Sequence, residues 1–269
     1  MKQILQRHFL ATGLAALVFL SGCRPVDVAA VYAEASAAAE AGEFTTAIDL
    51  TRRCLDAQPE AVRVLVLHGF CLYMTARSDR DRERALGCLH RAAGLAPDDF
   101  LAHYFYGWLL CENGQFGPAM EPLEQAYRLK EAYPEFLPDL LVLLGRCCVE
   151  NNLPKGRSYL QALRRYRSFA DSPEVYNALG ILSRKQGDYA DALSWFEQAL
   201  EKSRDHAVVL QNIAVLHDVY LGQPEEARRY YVRSLAARQR MRDSTNQAEI
   251  RKRLKQLRGD RLRPASRVP

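Results

Sequence analysis

The sequence predicts an all-α solenoid of about six tandem helix–turn–helix repeats closed by a C-terminal capping helix. Three observations predict it. Ala, Leu, Arg and Glu dominate a chain with only 12 Pro and 15 Gly in 269 residues, and these four residue types favour helix. A glycine–glycine–alanine–alanine pattern recurs with fixed internal spacing. A final amphipathic segment is apolar on one side and basic on the others, as the last unit of a repeat array requires. Hydrophobic residues make up 48% of the chain, too many for a disordered polymer and enough for a buried core.

The N-terminus reads as an address. Lys2 and Arg7 precede an uncharged apolar run, Phe9 to Leu20, that ends in Leu20-Ser21-Gly22-Cys23. A basic start, a short apolar stretch and small residues before a cut site make a secretory signal. The run falls short of the ~20 residues that span a bilayer as a helix. Its ending resembles the bacterial lipoprotein signal, in which the cysteine thiol is acylated and becomes the new first residue. That resemblance implies a signal peptide at 1–22, lipidation of Cys23, a short anchor at 23–27 and a protein facing the periplasm. Arg24, in place of Asp after the cysteine, fits the pattern that permits transfer to the outer membrane.

The clearest repeat lies at 173–206, with Tyr176, Leu179, Gly180, Ser183, Gly187, Tyr189, Ala192, Phe196 and Ala199. An earlier copy has His103, Tyr106, Gly107, Leu110, Gly114, Phe116, Ala119, Leu123 and Ala126. In both, glycine is followed by glycine after seven residues and by alanine after twelve, with the next alanine seven further on. The first glycine suits a close crossing of two helices, the second a left-handed helix end, and the alanines the same crossing from the second helix. Weaker copies carry Ala35, Gly42 and Ala47; Gly69 and Ala85, with about four extra residues in the turn Arg77–Arg84; Gly145, Asn152 and Gly156, one residue short and preceded by an insertion around Pro134–Pro138; and Ala214, Gly222 and Ala227, one residue long. This pattern resembles the tetratricopeptide repeat, with Tyr176 in the place of its tryptophan and Ser183 in the place of its tyrosine. The repeats occupy 28–240, the capping helix 241–258 with Ile250, Leu254 and Leu257 as its stripe, and a basic, disordered tail 259–269.

In that family the first helices of successive pairs line a concave groove. The resemblance carries over to Val66, Phe70, Tyr73, Tyr104 and Trp108 as an aromatic half, and to Arg146, Asn177, Arg184 and Lys185 as a basic half. Trp108 and Tyr104 are expected on the groove wall with Phe70 and Tyr73, against the alternative that an aromatic stripe at helical spacing is core. The chaperone-type carboxylate clamp of the family is incomplete, since Ile181 follows Asn177 where that set continues.

Other chemistry is not expected. Cys54, Cys71, Cys88, Cys111, Cys147 and Cys148 are even in number, which admits disulfides in an exported protein, but core thiols filling small sites explain them as well. No cysteine spacing matches a metal site, the histidines lack a nearby nucleophile, and there is no phosphate loop. The chain is therefore read as a non-enzymatic, cofactor-free scaffold in the bacterial envelope that binds a protein or peptide, with no nucleic acid, for the assembly of secretion, pilus or cell-wall machinery. Charge supports a second reading. Residues 228–269 hold 14 Lys/Arg against three acidic residues, a net of +11 that leaves −6 for the rest, so the C-terminus suits an anionic envelope polymer. A third reading is self-association. If the lipoprotein ending is used, mass spectrometry of the mature protein finds acyl chains on an N-terminal Cys23; an unmodified Cys23 or a cut elsewhere contradicts it.

Overall fold

Helix starts and stops in this chain are written in its caps. Ser78 accepts a hydrogen bond from the Asp81 amide at 3.3 Å while the Asp81 carboxylate accepts from the Ser78 amide at 3.1 Å, a reciprocal capping box. Asp99 and Asp188 accept from the amides of Ala102 and Asp191, and Pro173 and Pro224 open two helices in the first turn, where a missing N–H costs nothing. Gly114 and Gly187 end their helices at φ +73° and +84°, in the left-handed region that a Cβ disfavours.

The computed structural model describes residues 26–260. The expected signal peptide, Cys23 and the expected tail beyond Asp260 lie outside the described residues. Among those described there are 13 α-helices and no strand. The first six are α1 (Val28–Glu40), α2 (Phe44–Ala57), α3 (Val62–Thr75), α4 (Asp79–Leu95), α5 (Phe100–Glu112) and α6 (Phe116–Arg128). Two single 3₁₀ turns, Lys130–Ala132 and Pro134–Phe136, lead into α7 (Leu137–Glu150). Then come α8 (Gly156–Leu163), α9 (Pro173–Lys185), α10 (Tyr189–Lys202), α11 (Ala207–Val215), α12 (Pro224–Arg240) and α13 (Gln247–Asp260). No helix among the described residues is long and apolar enough to cross a membrane.

The chain forms two compact units that divide within α7, at Leu143 and Leu144. In the first, α1–α2, α3–α4 and α5–α6 are antiparallel pairs, each packed on the next. In the second, α9–α10 and α11–α12 are the pairs, α8 packs on α9, and α13 packs on α12.

Every pair crosses at a glycine or alanine. A Cβ on Gly107 would stand 2.5 Å from the Leu123 side chain, on Gly145 2.6 Å from Leu160, and on Gly180 2.5 Å from Phe196. Leu123 and Phe196 are fully buried, as are Ala119, Ala126, Ala192 and Ala199. The second helix thus pushes one large side chain against the bare backbone of the first while its alanines let the two axes approach.

Departures from the regular repeat have local causes. The extra residues near Arg77–Arg84 do not lengthen a turn as expected. The Ser78 cap starts α4 at Asp79, so they extend that helix to 17 residues, with Asp79 and Asp81 at the favourable end of its dipole. In the short fourth copy, Asn152 takes the glycine's place at φ +54°, which asparagine tolerates better than most residues. The long sixth copy absorbs its extra residue in a π-helical turn, Leu216–Tyr220, the usual way a helix takes in a single insertion.

That turn aims Asp218 at α13. Its carboxylate, 3% exposed, accepts two bonds from Arg253, Nε at 2.7 Å and Nη2 at 2.6 Å, and a third from Tyr231 Oη at 3.2 Å. Ile250 and Leu257 are buried beside Ala214, Ala227 and Tyr231, with Leu254 packed against them. Residues 241–246, expected to start the capping helix, form a loop with positive φ at Arg242 and Asn246. The buried Arg238 holds that loop through Asp243 and reaches Gln211 Oε1 at 2.8 Å.

A second polar knot joins the pairs of the second unit. Ser183, small where the repeat pattern has tyrosine, leaves room for Arg157 of α8, which donates to Asp191 at 2.8 Å and Ser183 at 3.1 Å. Asp191 also accepts from Ser183 Oγ and Trp195 Nε1. Burial alone would raise this carboxyl, but the bonds from Ser183 and Arg157, the Arg157 charge and the Trp195 bond together hold it below the ordinary carboxylate range.

The six cysteines among the described residues lie outside any disulfide, and five of them are buried. Burial pushes Cys71 up to about 12, which keeps it an unreactive thiol. Among the described residues, no group of three or more His, Cys, Asp or Glu side chains could hold a metal ion. Because Gly180 touches Phe196 without a Cβ, Gly180→Leu is expected to lose on the order of 1–3 kcal/mol or more, read as a lower denaturation midpoint at unchanged m-value.

Candidate functional site

The nine side chains expected to line the groove meet different fates in the two units. In the first unit Val66 and Phe70 are 1% exposed, Tyr104 6% and Trp108 9%. The Phe70 ring stacks on Trp108 at 5.8 Å and meets Phe105 at 5.8 Å and Phe44 at 5.9 Å. Residues just past the crossing glycine therefore point along the stack, toward the neighbouring first helix. The reading of Val66, Phe70, Tyr104 and Trp108 as an open groove wall is corrected: they are core of the first unit. Tyr73 alone of the five remains partly exposed.

The insertion before the fourth copy supplies the physical reason at Tyr104. Phe136, 2% exposed, stands 4.9 Å from Tyr104 and 5.6 Å from Phe100, and Tyr133 stacks on Phe100 at 5.0 Å. The far end of the segment is pinned as well: Arg63 Nη2 of α3 donates to Tyr133 Oη at 2.9 Å, and Arg63 Nε lies 3.2 Å from Asp99. The segment 129–136 thus lies over the first helices of its own unit and fills the surface that a partner would need. Its contacts span 70 residues of sequence, so no local pattern announces them.

The second unit keeps a polar face on its first helices. Arg146 is exposed on α7. Lys185 is committed to structure, since its Nζ donates to the Val149 carbonyl at 2.6 Å and lies 3.8 Å from the Glu150 carboxylate, a cation at the C-terminal end of α7. Arg184 donates to Tyr220 Oη at 2.8 Å and lies 5.3 Å from its ring centroid. Its Nε is buried without an acceptor, an unmade bond that costs stability until something accepts it. Asn177 accepts from Asn212 Nδ2 of α11 at 2.7 Å. That single bond leaves the Nδ2 donor of Asn177 and the Oδ1 acceptor of Asn212 unused among the described residues. One donor beside one acceptor matches a peptide group, which offers a carbonyl and an N–H. Val208, one helical turn before Asn212, is 43% exposed and adds an apolar contact on the same face. Asn212, Val208 and Tyr220 escaped the sequence reading because they sit on the weakly patterned sixth copy, over which no groove residue was expected.

Antiparallel helix pairs, crossed at glycine and stacked with their first helices side by side, define a helical-repeat scaffold. Two sequence models of the tetratricopeptide repeat match the chain, one over residues 171–240 and one over 74–134. The chain belongs to the tetratricopeptide-repeat family. Solved structures agree in fold. YrrB, described as a TPR protein with an unusual peptide-binding site, is 21% identical over 75% of this chain and 97% of its own, with a TM-score of 0.55. PilF of Pseudomonas aeruginosa is 17% identical over 84% of this chain and 96% of its own, with a TM-score of 0.56. PilW, described as a type IV pilus biogenesis factor, is 15% identical over 83% of this chain and 97% of its own, with a TM-score of 0.57. No curated protein matches the sequence.

The aromatic correction has a measurable consequence. As a buried ring between Phe70 and Phe105, Trp108 leaves a cavity when truncated, so Trp108→Ala is expected to cost roughly 3–5 kcal/mol in chemical denaturation. A midpoint shift of under about 1 kcal/mol would return Trp108 to the surface.

Proposed function

We propose that this chain is a non-catalytic scaffold, anchored by lipid on Cys23 to a bacterial envelope membrane, that holds an extended segment of a partner protein across α9 and α11. The observation that carries the binding site is the Asn177–Asn212 amide pair, with one donor and one acceptor left over. A peptide lying on it can bond both amides and set an apolar side chain on Val208. Support comes from three directions. Tetratricopeptide repeats are protein-binding scaffolds, a structural neighbour is described as having a peptide-binding site, and another is described as a pilus biogenesis factor. The Leu20-Ser21-Gly22-Cys23 ending supports the anchor and, with Arg24, an outer-membrane address facing the periplasm. The partner's role in assembling an envelope machine follows from that address and from the kind of neighbour, and remains part of the proposal.

A photo-crosslinking residue placed at Asn177, in cells expressing the full chain, is expected to trap one discrete partner in the membrane fraction. The same residue at Arg91, an exposed position on α4, should not. Asn177→Ala with Asn212→Ala should then weaken binding of the trapped partner about ten-fold or more, the loss of roughly two hydrogen bonds, at a nearly unchanged melting temperature. Equal crosslinking at both positions, or full affinity in the double variant, would overturn the site.

A further inference from the structure

The second unit ends in a shallow cleft of about 250 Å³ between α12 and α13. Arg228 and Val232 line it from α12, and Arg251, Leu254, Lys255 and Arg258 from α13. The anchoring of α13 creates it. Arg253 turns inward to Asp218, Ile250 and Leu257 face the core, and the remaining cations of the helix are left on the outer side, around a floor of Leu254 and the 49% exposed Val232.

The other arginines of these two helices are engaged. Arg229 pairs with Glu226 at 2.7 Å, Arg240 with Asp205 at 3.1 Å, and Arg238 with Asp243, while Arg233 donates to the Arg204 carbonyl. Among the described residues no ion pair neutralises Arg228, Arg251, Lys255 or Arg258, and Arg251 bonds only the neutral Gln247 amide oxygen at 2.9 Å.

We propose that this cleft is where the protein meets anionic phospholipid, with lipid phosphates held by the four cations and the glycerol and upper acyl carbons over Val232 and Leu254. Donor chemistry selects this occupant. Every polar side chain in the lining is a cation that donates and cannot accept. A lipid phosphate offers acceptors alone, and it comes joined to an apolar portion that matches the floor. A protein segment carries backbone N–H donors as well, and these would lose water in the cleft without gaining an acceptor. Guanidinium groups are also the cations best shaped for phosphate oxygens.

Sedimentation of the full chain with phosphatidylcholine vesicles, with and without phosphatidylglycerol, tests this. Phosphatidylglycerol should strengthen binding, and high salt should reverse the gain. Arg251→Glu with Arg258→Glu should weaken that binding about thirty-fold or more, at roughly five-fold for each cation lost. Arg53→Glu with Arg91→Glu, an equal change of charge at exposed positions of the first unit, should keep it. The leader and any acyl group are common to all three proteins, so their own membrane affinity cancels. Equal losses in the two double variants would reduce the effect to net charge and overturn the assignment to this cleft. Unchanged binding in the cleft variant would overturn it too. Tighter binding of soluble poly-glutamate than of phosphatidylglycerol vesicles, abolished by the cleft variant, would make the occupant an acidic protein segment and end the proposal. None of these outcomes depends on the amide pair at Asn177.

Discussion

The contact between a bare glycine backbone and one large side chain from the paired helix sets the geometry of each repeat. Gly107 against Leu123, Gly145 against Leu160 and Gly180 against Phe196 are the same solution three times. A Cβ at any of them would push the axes apart, and the alanines at 119, 126, 192 and 199, all fully buried, would then face a gap rather than a neighbour. Fixing that crossing fixes the rotation of the first helix as well. Once glycine faces the second helix, the next residue points along the stack and residues three before and four after lie beside it. The faces that bind or pack are therefore consequences of the crossing.

This explains why the first unit hides what was expected to be its most adhesive surface. Phe70 and Trp108 each follow a crossing glycine, and the helical rotation that buries the glycine carries both rings into the space between successive first helices, where they stack on each other. Tyr104 faces outward enough to be covered by a different agent, the 129–136 segment with Phe136. Large aromatic surface in water is costly, at roughly 25 cal/mol per Å², so a chain with so many rings on its first helices is driven to cover them. Arg63, Asp99 and Tyr133 hold that cover in place by a polar latch.

What was legible in the sequence follows the same division between local and distant causes. The glycine spacing, the left-handed helix ends and the one-residue surplus of the sixth copy depend on near neighbours, and each was visible as spacing before its geometry, the last as the π turn at Leu216–Tyr220. The surplus in the Arg77–Arg84 segment is visible in the spacing, but its place in the helix rather than the turn depends on the Ser78–Asp81 capping box. Of the candidate site, the position of Asn177 and Arg184 on a first helix came through. Their partners Asn212 and Tyr220 did not, because these bonds join residues 35 and 36 apart, and only Tyr220 lies in the π turn itself. The cover at 129–136 was noticed as an insertion around Pro134–Pro138, yet nothing in its own residues says where Tyr133 would reach.

Charge is distributed by the same logic. Asp218, almost fully buried, and Asp191, about a third exposed, are each surrounded by donors from two neighbouring elements. A buried acid such as Asp218, satisfied in this way, stabilises less by attraction than by the penalty its partners' loss would impose, so that knot fixes register more than it adds stability. Each knot also consumes an arginine. Arg157, Arg238 and Arg253 are spent on Asp191, Asp243 and Asp218, and in the last two cases this happens within the segment of highest positive charge. The cations that remain on the outer side of α12 and α13 are then a selected remainder, set by which arginines the fold had already used. Net charge alone, +11 over residues 228–269, could not have drawn that distinction. A basic segment becomes a binding surface only where its charges are left over from folding, and the anchoring of α13 by Arg253 decides which ones those are.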